Sequence, residues 1–244
     1  MTDPIEYPKI ETLFDRDKKT FKVVEYLREA AFSIPRAWLV TEKVDGTNIR
    51  VHYVPAREET FEDAYLNEDG AASSRGQQTR TLPPSVTFHG RTDAAQMPPF
   101  LRAKLEELFP VENFADFDAP MTLFGEGYGA RIQKSGGNYR PHDVSFRLFD
   151  VVVYDKKSGF QWWLDWPNVV SVADALGIDT VPALHLSADL EGIVTAVRKG
   201  LPSIVGIDES ANEFESEGVV CRTDPYLFMR NGQRLVFKLK TKDF

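Results

Sequence analysis

Several short strings in this 244-residue chain carry side chains suited to covalent and electrostatic chemistry. Lys43-Val44-Asp45-Gly46 sets a lysine before a tight Asp-Gly turn, and Lys238-Leu239-Lys240 supplies two more lysines far downstream. Leu123-Phe124-Gly125-Glu126-Gly127-Tyr128-Gly129 places a carboxylate, Glu126, among glycines, where a ligand can approach the backbone closely. Phe146-Arg147-Leu148-Phe149-Asp150 carries an aromatic ring, Phe149, and a carboxylate, Asp150, expected on opposite faces of one strand. Ser216-Glu217-Gly218-Val219-Val220 opens another strand with Glu217.

The chemistry these types offer centres on a nucleophilic lysine. An unperturbed lysine titrates near 10.4, so at pH 7 roughly one in 2,500 is neutral and able to attack. Lowering that value needs desolvation or neighbouring positive charge, bound metal included. Strand alternation puts Lys238 and Lys240 on one face, with Phe237 and Leu239 on the other, so the pair could supply such charge. Taken singly, each string has an ordinary reading: a surface hairpin with a solvated lysine, a capped strand end, a core Phe, a solvated Glu. Their order along one chain is what gives them weight.

The elements that must position them can be read from periodicity. Trp38 to Lys43 and Ile49 to Val54 read as strands joined through the Asp45-Gly46 turn. Residues 55–85 are polar and rich in Gly, Ser, Arg and Glu with little periodicity, which predicts a long, mobile surface insertion. Met97 to Phe109 has Leu101, Leu105 and Leu108 on one helical face, ended by Pro110. Met121 to Gly125 and Ser145 to Tyr154 read as strands, the second nearly all apolar and therefore central. The loop between them is punctuated by glycines and carries Arg131, Lys134 and Arg140. Pro167 to Leu176 reads as a helix with Pro at its start and Gly177 past its end. Ser187 to Lys199 reads as another, with Leu190, Ile193, Val194 and Val197 at helical spacing. Glu217 to Arg222 and Arg234 to Lys240 close the fold as strands. No internal repeat is visible and no linker divides the chain. The expected architecture is one α+β domain over residues 1–244, mostly antiparallel sheet, with residues 1–37 as an N-terminal segment.

Composition excludes several classes. A hydrophobic fraction of 42% and an aromatic fraction of 12% belong to a globular protein rather than a disordered one. No apolar run approaches the roughly 20 residues of a membrane span, and Met1-Thr2-Asp3-Pro4 opens no signal peptide, so a cytoplasmic protein is the default. Cys221, the single cysteine, excludes an internal disulfide, fits a reducing compartment and reads as a packing residue. His52, His89, His142 and His185 share no ligand spacing with it, which argues against structural zinc. A net charge of −8 argues against a generic nucleic-acid coat but leaves room for a local basic groove.

In this order, from Trp38 to Lys240, the strings resemble motifs I, III, IIIa, IV and V of the covalent nucleotidyltransferase superfamily, which comprises ATP-dependent DNA ligases, RNA ligases and mRNA-capping guanylyltransferases. Thr41-Glu42-Lys43-Val44-Asp45-Gly46-Thr47-Asn48 is most similar to the RNA ligases of the nick-sealing RNA ligase 2 type. Ala130-Arg131-Ile132-Gln133-Lys134 and Tyr7-Pro8-Lys9-Ile10-Glu11 point the same way. The resemblance implies the ligase-type nucleotidyltransferase fold, ATP-grasp-like, with a nucleotide pocket between sheets. It implies that Lys43 attacks the α-phosphate of ATP to form lysyl-AMP, that Glu42 and Phe149 hold adenine, and that Glu126 binds the ribose. Glu217, with Asp150, would position Mg²⁺, and Lys238 and Lys240 would neutralise charge as pyrophosphate leaves. Asn48 and Arg91 would be further polar residues of the pocket.

Competing assignments exist within the chain. Arg75 and Arg80 compete with Arg91, whose Phe88-His89-Gly90-Arg91-Thr92-Asp93 context fits better. Glu191-Gly192-Ile193-Val194 also fits the Glu-Gly-x-Val pattern, but it lies in a helical stretch, so Glu217 is preferred. Arg131, Lys134 and Arg140 are candidates for strand or phosphate contact, or a solvated turn. Relatives usually append an OB barrel or helical module after the last lysine pair, and here Thr241-Lys242-Asp243-Phe244 ends the sequence, so no such module is expected. The expected partner is RNA with 5′-phosphate and 3′-hydroxyl ends, in a nicked duplex or single-stranded, with DNA as the other polynucleotide. Two other functions stay open: a capping-type guanylyltransferase using GTP, and a non-sealing nucleotide-binding or scaffold protein.

Overall fold

The computed structural model describes residues 4–20, 23–66, 72–155, 158, 160–186 and 188–244. Ser187, at the start of one expected helix, lies outside the described residues, as do 67–71 within the expected insertion. The strands in chain order are β1 (Glu11–Thr12), β2 (Phe14–Arg16), β3 (Val23–Leu27), β4 (Leu39–Glu42), β5 (Thr47–Val54), β6 (Arg57–Leu66) and β7 (Ala72–Leu82). They continue with β8 (Ser85–His89), β9 (Met121–Gly129), β10 (Val144–Tyr154), β11 (Gln161–Trp163), β12 (Gly218–Arg222) and β13 (Val236–Lys240). The α-helices are α1 (Pro99–Leu108), α2 (Gly136–Tyr139), α3 (Trp166–Leu176), α4 (Leu190–Arg198) and α5 (Ile204–Ser210).

Two sheets build the site. One has the order β11-β10-β9-β5-β8, and the other β1-β13-β12-β4. All pairings in them are antiparallel except that of β1 with β13. The α+β, mostly antiparallel architecture is thus as expected, with β9 rather than β10 in the middle of the five-stranded sheet. On that sheet Ile49, Val51, Leu123, Phe146 and Leu148 pack with Leu101 and Leu105 of α1 and Val169 and Val172 of α3. In the four-stranded sheet, Val40, Val219, Cys221, Phe237 and Leu239 pack with Ile193 and Val197 of α4. Each such fully buried side chain contributes about 1.5–3 kcal/mol. Burial of Phe237 and Leu239 therefore fixes the opposite orientation of Lys238 and Lys240.

One expectation needs correction. The Asp45-Gly46 turn does not close a hairpin: β4 belongs to one sheet and β5 to the other, so the chain crosses between sheets at Lys43–Gly46. Turn residues specify a reversal, but the receiving sheet is chosen by the apolar faces of β4 and β5. Within the expected insertion, β6 and β7 form a two-stranded ribbon that pairs from Arg57↔Leu82 to Leu66↔Ala72. Its residues 57–61 and 77–82 are mostly exposed, so no one-sided apolar pattern betrays the ribbon. No helix among the described residues is long and apolar enough to cross a membrane.

Candidate active site

Where the two sheets face each other the chain leaves a cleft of about 540 Å³. Lys43 lines it directly after β4, its N–H donating to the Gly218 carbonyl at 2.9 Å across the strand pair. The turn after it is tight for a reason visible in space: a Cβ on Gly46 would collide with the Gly127 carbonyl. Asp45 is held from two sides, its N–H donating to the Tyr139 hydroxyl at 3.0 Å and its carboxylate accepting from Ser135.

Antiparallel pairing of β12 with β13 opposes Gly218 to Lys240 and brings Glu217 beside the lysine pair. Gly218 has φ +143, a conformation that favours glycine, and a Cβ there would meet the Leu239 carbonyl. Glu217 accepts from both Lys43 Nζ and Lys240 Nζ, the latter at 2.5 Å. Burial raises its pKa, but the charges of Lys43 and Lys240 outweigh that and hold it below the usual carboxylate range. Lys238 points into the same cleft, and burial together with Lys43, Lys240 and Arg91 lowers its pKa.

Glu126 enters from β9, opposite Asn48 on β5. Burial pushes its pKa up to about 7, with Glu217 and Asp45 adding to the rise and Lys43 opposing it. The Asn48 Oδ1 is buried without a hydrogen-bond partner, an acceptor left free at the cleft wall. Phe149 lines the cleft with Val181 and Val220, giving it an apolar side against which a planar base could stack. Tyr7, Pro8 and Ile10 of the N-terminal segment complete that side, and the Tyr7 ring meets Phe149 edge-on at 5.1 Å.

Glu42 lines the cleft, but its carboxylate is spoken for. It accepts from Ser203 Oγ at 2.6 Å and from the N–H groups of Ile204 (2.9 Å) and Val205 (3.2 Å), fastening the start of α5 beside Lys43. Burial raises its pKa, against these bonds. The far end of α5 is fastened too, Glu209 pairing with Arg147 at 2.9 Å and with Arg140. Sequence reading missed α5, a helix of 7 residues with Gly206 inside it; the Ser203 N-cap was its one local signal.

The expected site residues do not all converge. Lys43, Asn48, Arg91, Glu126, Phe149, Glu217, Lys238 and Lys240 line the cleft together. Asp150 does not. The register of β10 on β9 slips between Leu148 and Asp150, so Phe149 is a bulged residue facing the cleft and Asp150 turns into the interior. There its side chain is 1% exposed, paired with Arg234 at 2.7 Å and accepting from Tyr7 at 2.9 Å and Tyr226 at 3.1 Å. A carboxylate so enclosed is not available to a metal in the cleft. Arg222, at the end of β12, donates to the Phe149 carbonyl at 2.6 Å and so supports the bulge.

Of the competitors, Arg80 pairs with Glu59 on the ribbon and Glu191 lies exposed on the first turn of α4. Among the basic loop residues, Arg140 is bound to Asp143 and Glu209, Arg131 lies over the Phe100 ring at 4.4 Å, and Lys134 is exposed. Gln133 of that loop reaches the cleft and donates to the Gly46 carbonyl at 3.1 Å. Cys221 is fully buried, and burial pushes its thiol pKa up, as suits a packing residue.

The RNA ligase family model matches residues 36–240. No curated protein matches the chain. Among solved structures, a lysine mutant of Naegleria gruberi RNA ligase with ATP and Mn has TM-score 0.53 and 17% identity, over 97% of this chain and 62% of that one. The same ligase with PPi gives the same values. An archaeal ATP-dependent RNA ligase has TM-score 0.52 and 16% identity, over 98% of this chain and 48% of that one. These likenesses show the fold, and the chain spans about three-fifths of the length of the Naegleria relatives.

Proposed function

The chain belongs to the RNA ligase family, and from that premise we propose that it is an ATP-dependent RNA ligase working through an AMP adduct on Lys43. One observation carries the reading. Lys43, at the sheet crossing, shares Glu217 with Lys240 inside a cleft that Phe149 also lines. A carboxylate, a lysine nucleophile and a further lysine in one contact are the parts a nucleotidyl transfer needs.

The base would lie against Phe149, Val181 and Val220, and Glu126 with Asn48 would meet the sugar and the α-phosphate side. Lys43 Nζ, once its proton is lost to solvent, would supply the electron pair for the new N–P bond as the Pα–O bond to pyrophosphate breaks, with the Glu217 carboxylate beside it. Lys240 and Lys238 would offset the charge gathering on the departing pyrophosphate. AMP would then pass to a 5′-phosphate, and a 3′-hydroxyl would displace it to seal the strand.

The donor set fits a hard divalent cation. No group of three or more metal-binding side chains occurs among the described residues, so the protein offers no cage. Glu217 is an ionised carboxylate in the cleft, and Mg²⁺ is commonly held by one or two carboxylates together with substrate phosphates. Glu217 would hold it, and the cation would supply charge neutralisation on those phosphates. The relatives in complex with ATP or AMP carry Mn, which supports a divalent cation here. A cytoplasmic location accords with a buried, free Cys221.

The test is to offer α-labelled ATP and α-labelled GTP in parallel with Mg²⁺, followed by nicked RNA, nicked DNA and single-stranded RNA. Label retained from ATP and sealed RNA are expected. Label from GTP alone would transfer the reading to a capping-type enzyme, and no retained label from either would leave a binding protein.

A further inference from the structure

A fully buried arginine stands behind the cleft without lining it. Arg50 follows Asn48 by two residues on β5, so strand alternation sets both on the face opposite the Ile49 and Val51 core. Asn48 lines the cleft and Arg50 does not. The Arg50 side chain is 0% exposed, whereas the carboxylate it pairs with, Asp93, is 77% exposed. A guanidinium has thus been taken out of water for an acid that stays in it, a costly arrangement for stability alone. What its donors hold are the neighbours of a cleft residue.

Arg50 Nε donates to the Gly90 carbonyl at 2.8 Å and Nη2 to the Asp93 carboxylate at 2.6 Å, one residue before Arg91 and two after it. Nη1 donates to the Pro4 carbonyl at 3.0 Å, ahead of the segment that brings Tyr7 to the cleft. Arg91 needs such a hold because it belongs to no strand or helix: β8 ends at His89 and α1 begins at Pro99. Inside this loop the Ala95 N–H donates to the Thr92 carbonyl at 3.1 Å, and Gly90 lies so near Ala95 that a Cβ on it would collide with the Ala95 methyl. The chain is therefore fixed around Arg91, while Arg91 itself is exposed and lines the cleft. Its charge is felt at Lys238, whose pKa is lowered by burial, Lys43, Lys240 and Arg91 and raised by Glu11.

We propose that Arg50 is a positioning residue for Arg91: its planar fork fixes Gly90 and Asp93 on either side of that residue and so aims the Arg91 side chain at a nucleotide in the cleft. The inference rests on the nucleotide-binding reading of the cleft given above. Arg50 itself meets no ligand. It restrains the loop before binding, so that less conformational freedom is lost when Arg91 engages the nucleotide. A lysine at position 50 would keep the charge and lose the fork, because an ammonium lacks the planar spread of donors that reaches acceptors on two segments.

ATP titrated calorimetrically with Mg²⁺ into the full chain, carrying Lys43→Ala to suppress adduct formation, tests this alongside urea unfolding. Arg91→Ala should weaken ATP binding about tenfold, the size of one hydrogen bond between charged groups. Arg50→Lys should weaken it nearly as much, and Asp93→Ala, at an exposed position where the fold is not at risk, about threefold. Asp93→Asn, which still accepts a hydrogen bond, should restore the affinity. The deciding pair is Arg50→Lys on the Arg91→Ala background. There the urea midpoint should fall as it does with Arg91 present, while ATP affinity falls no further than in Arg91→Ala alone. Should Arg50→Lys fail to fold, Asp93→Ala combined with Arg91→Ala supplies the same cycle. Losses of affinity that add would overturn the assignment and leave Arg50 a part of the fold only, as would parental affinity in Asp93→Ala and Arg50→Lys. A parent that takes no label from ATP would overturn the ligase reading, while a non-additive pair would still uphold the positioning role. A chain that binds no ATP would overturn both.

Discussion

Glu217 and Asp150 are both carboxylates set between two cations, yet they live in opposite surroundings. Glu217 joins Lys43 to Lys240 in the cleft, its side chain 15% exposed. Asp150 joins Arg234 to Arg222 in the interior, 1% exposed, with Tyr7 and Tyr226 donating to its oxygens. The first centre is open on one side and built from lysines, compact charges that a phosphate can take over. The second is closed and built from guanidinium groups stacked on aromatic rings, Arg234 over Trp163 at 3.7 Å and Arg222 over Trp166 at 5.3 Å. Access separates a carboxylate that can exchange partners from one that holds a wall in place. Here the closed centre supports the open one, since Arg222 also carries the Phe149 carbonyl and Tyr7 reaches the cleft.

If that division is right, the two centres respond oppositely to loss of their carboxylate. Asp150→Ala strands two buried guanidinium groups and should cost about 3–5 kcal/mol of unfolding free energy, read from urea denaturation. Glu217→Gln should cost less than about 1 kcal/mol in the same measurement, because its partners remain partly solvated. Its rate of Lys43 labelling from ATP should nevertheless fall about 10²–10³-fold, as for removal of one preorganised charge-stabilising group. An Asp150→Ala protein of parental stability, or a Glu217→Gln protein that labels at the parental rate, would erase the distinction.

Glu126 sharpens it from the side of pH. Below the ordinary Glu value of 4.5 the group is neutral folded and unfolded, so burial carries no penalty. Between there and about 7 the unfolded chain is ionised while the folded one holds its proton, so the penalty grows with pH and is complete above about 7. Glu126→Gln should therefore raise the melting temperature at pH 8, by the equivalent of at most about 3 kcal/mol, and leave it unchanged at pH 4. Nucleotide affinity should fall in the same variant, a site that gives up stability for binding. The smallest effect is expected at Glu191, exposed on α4, where Glu191→Gln should stay within about 0.5 kcal/mol and label Lys43 like the parent.

Particular residues show what the sequence could and could not reveal. The facing of Lys238 and Lys240 was legible because Phe237 and Leu239 alternate with them, and a two-residue period has one solution when one face is buried. Glu191 was separable from Glu217 because Leu190, Ile193 and Val197 repeat with helical spacing. Asp150 was drawn to the site by the resemblance alone, whereas alternation already set it on the face opposite Phe149, where the structure has it, next to a bulge that no local pattern announces. The crossing at Lys43–Gly46 was hidden because an Asp-Gly turn looks alike whether it returns to its own sheet or passes to another. The role of the Glu42 carboxylate was out of reach because its partners, Ser203 to Val205, are over 160 positions away. Long-range pairing of this sort is decided by packing, not by local signal.

The claim on which all of this depends is that Lys43 forms the covalent adduct. Intact-mass measurement after incubation with ATP and Mg²⁺, followed by peptide mapping, should find one AMP per chain, on Lys43, absent from Lys43→Ala and discharged by added pyrophosphate. An adduct on Lys238, Lys240 or another residue, or a chain that stays unmodified while binding ATP, would contradict the account.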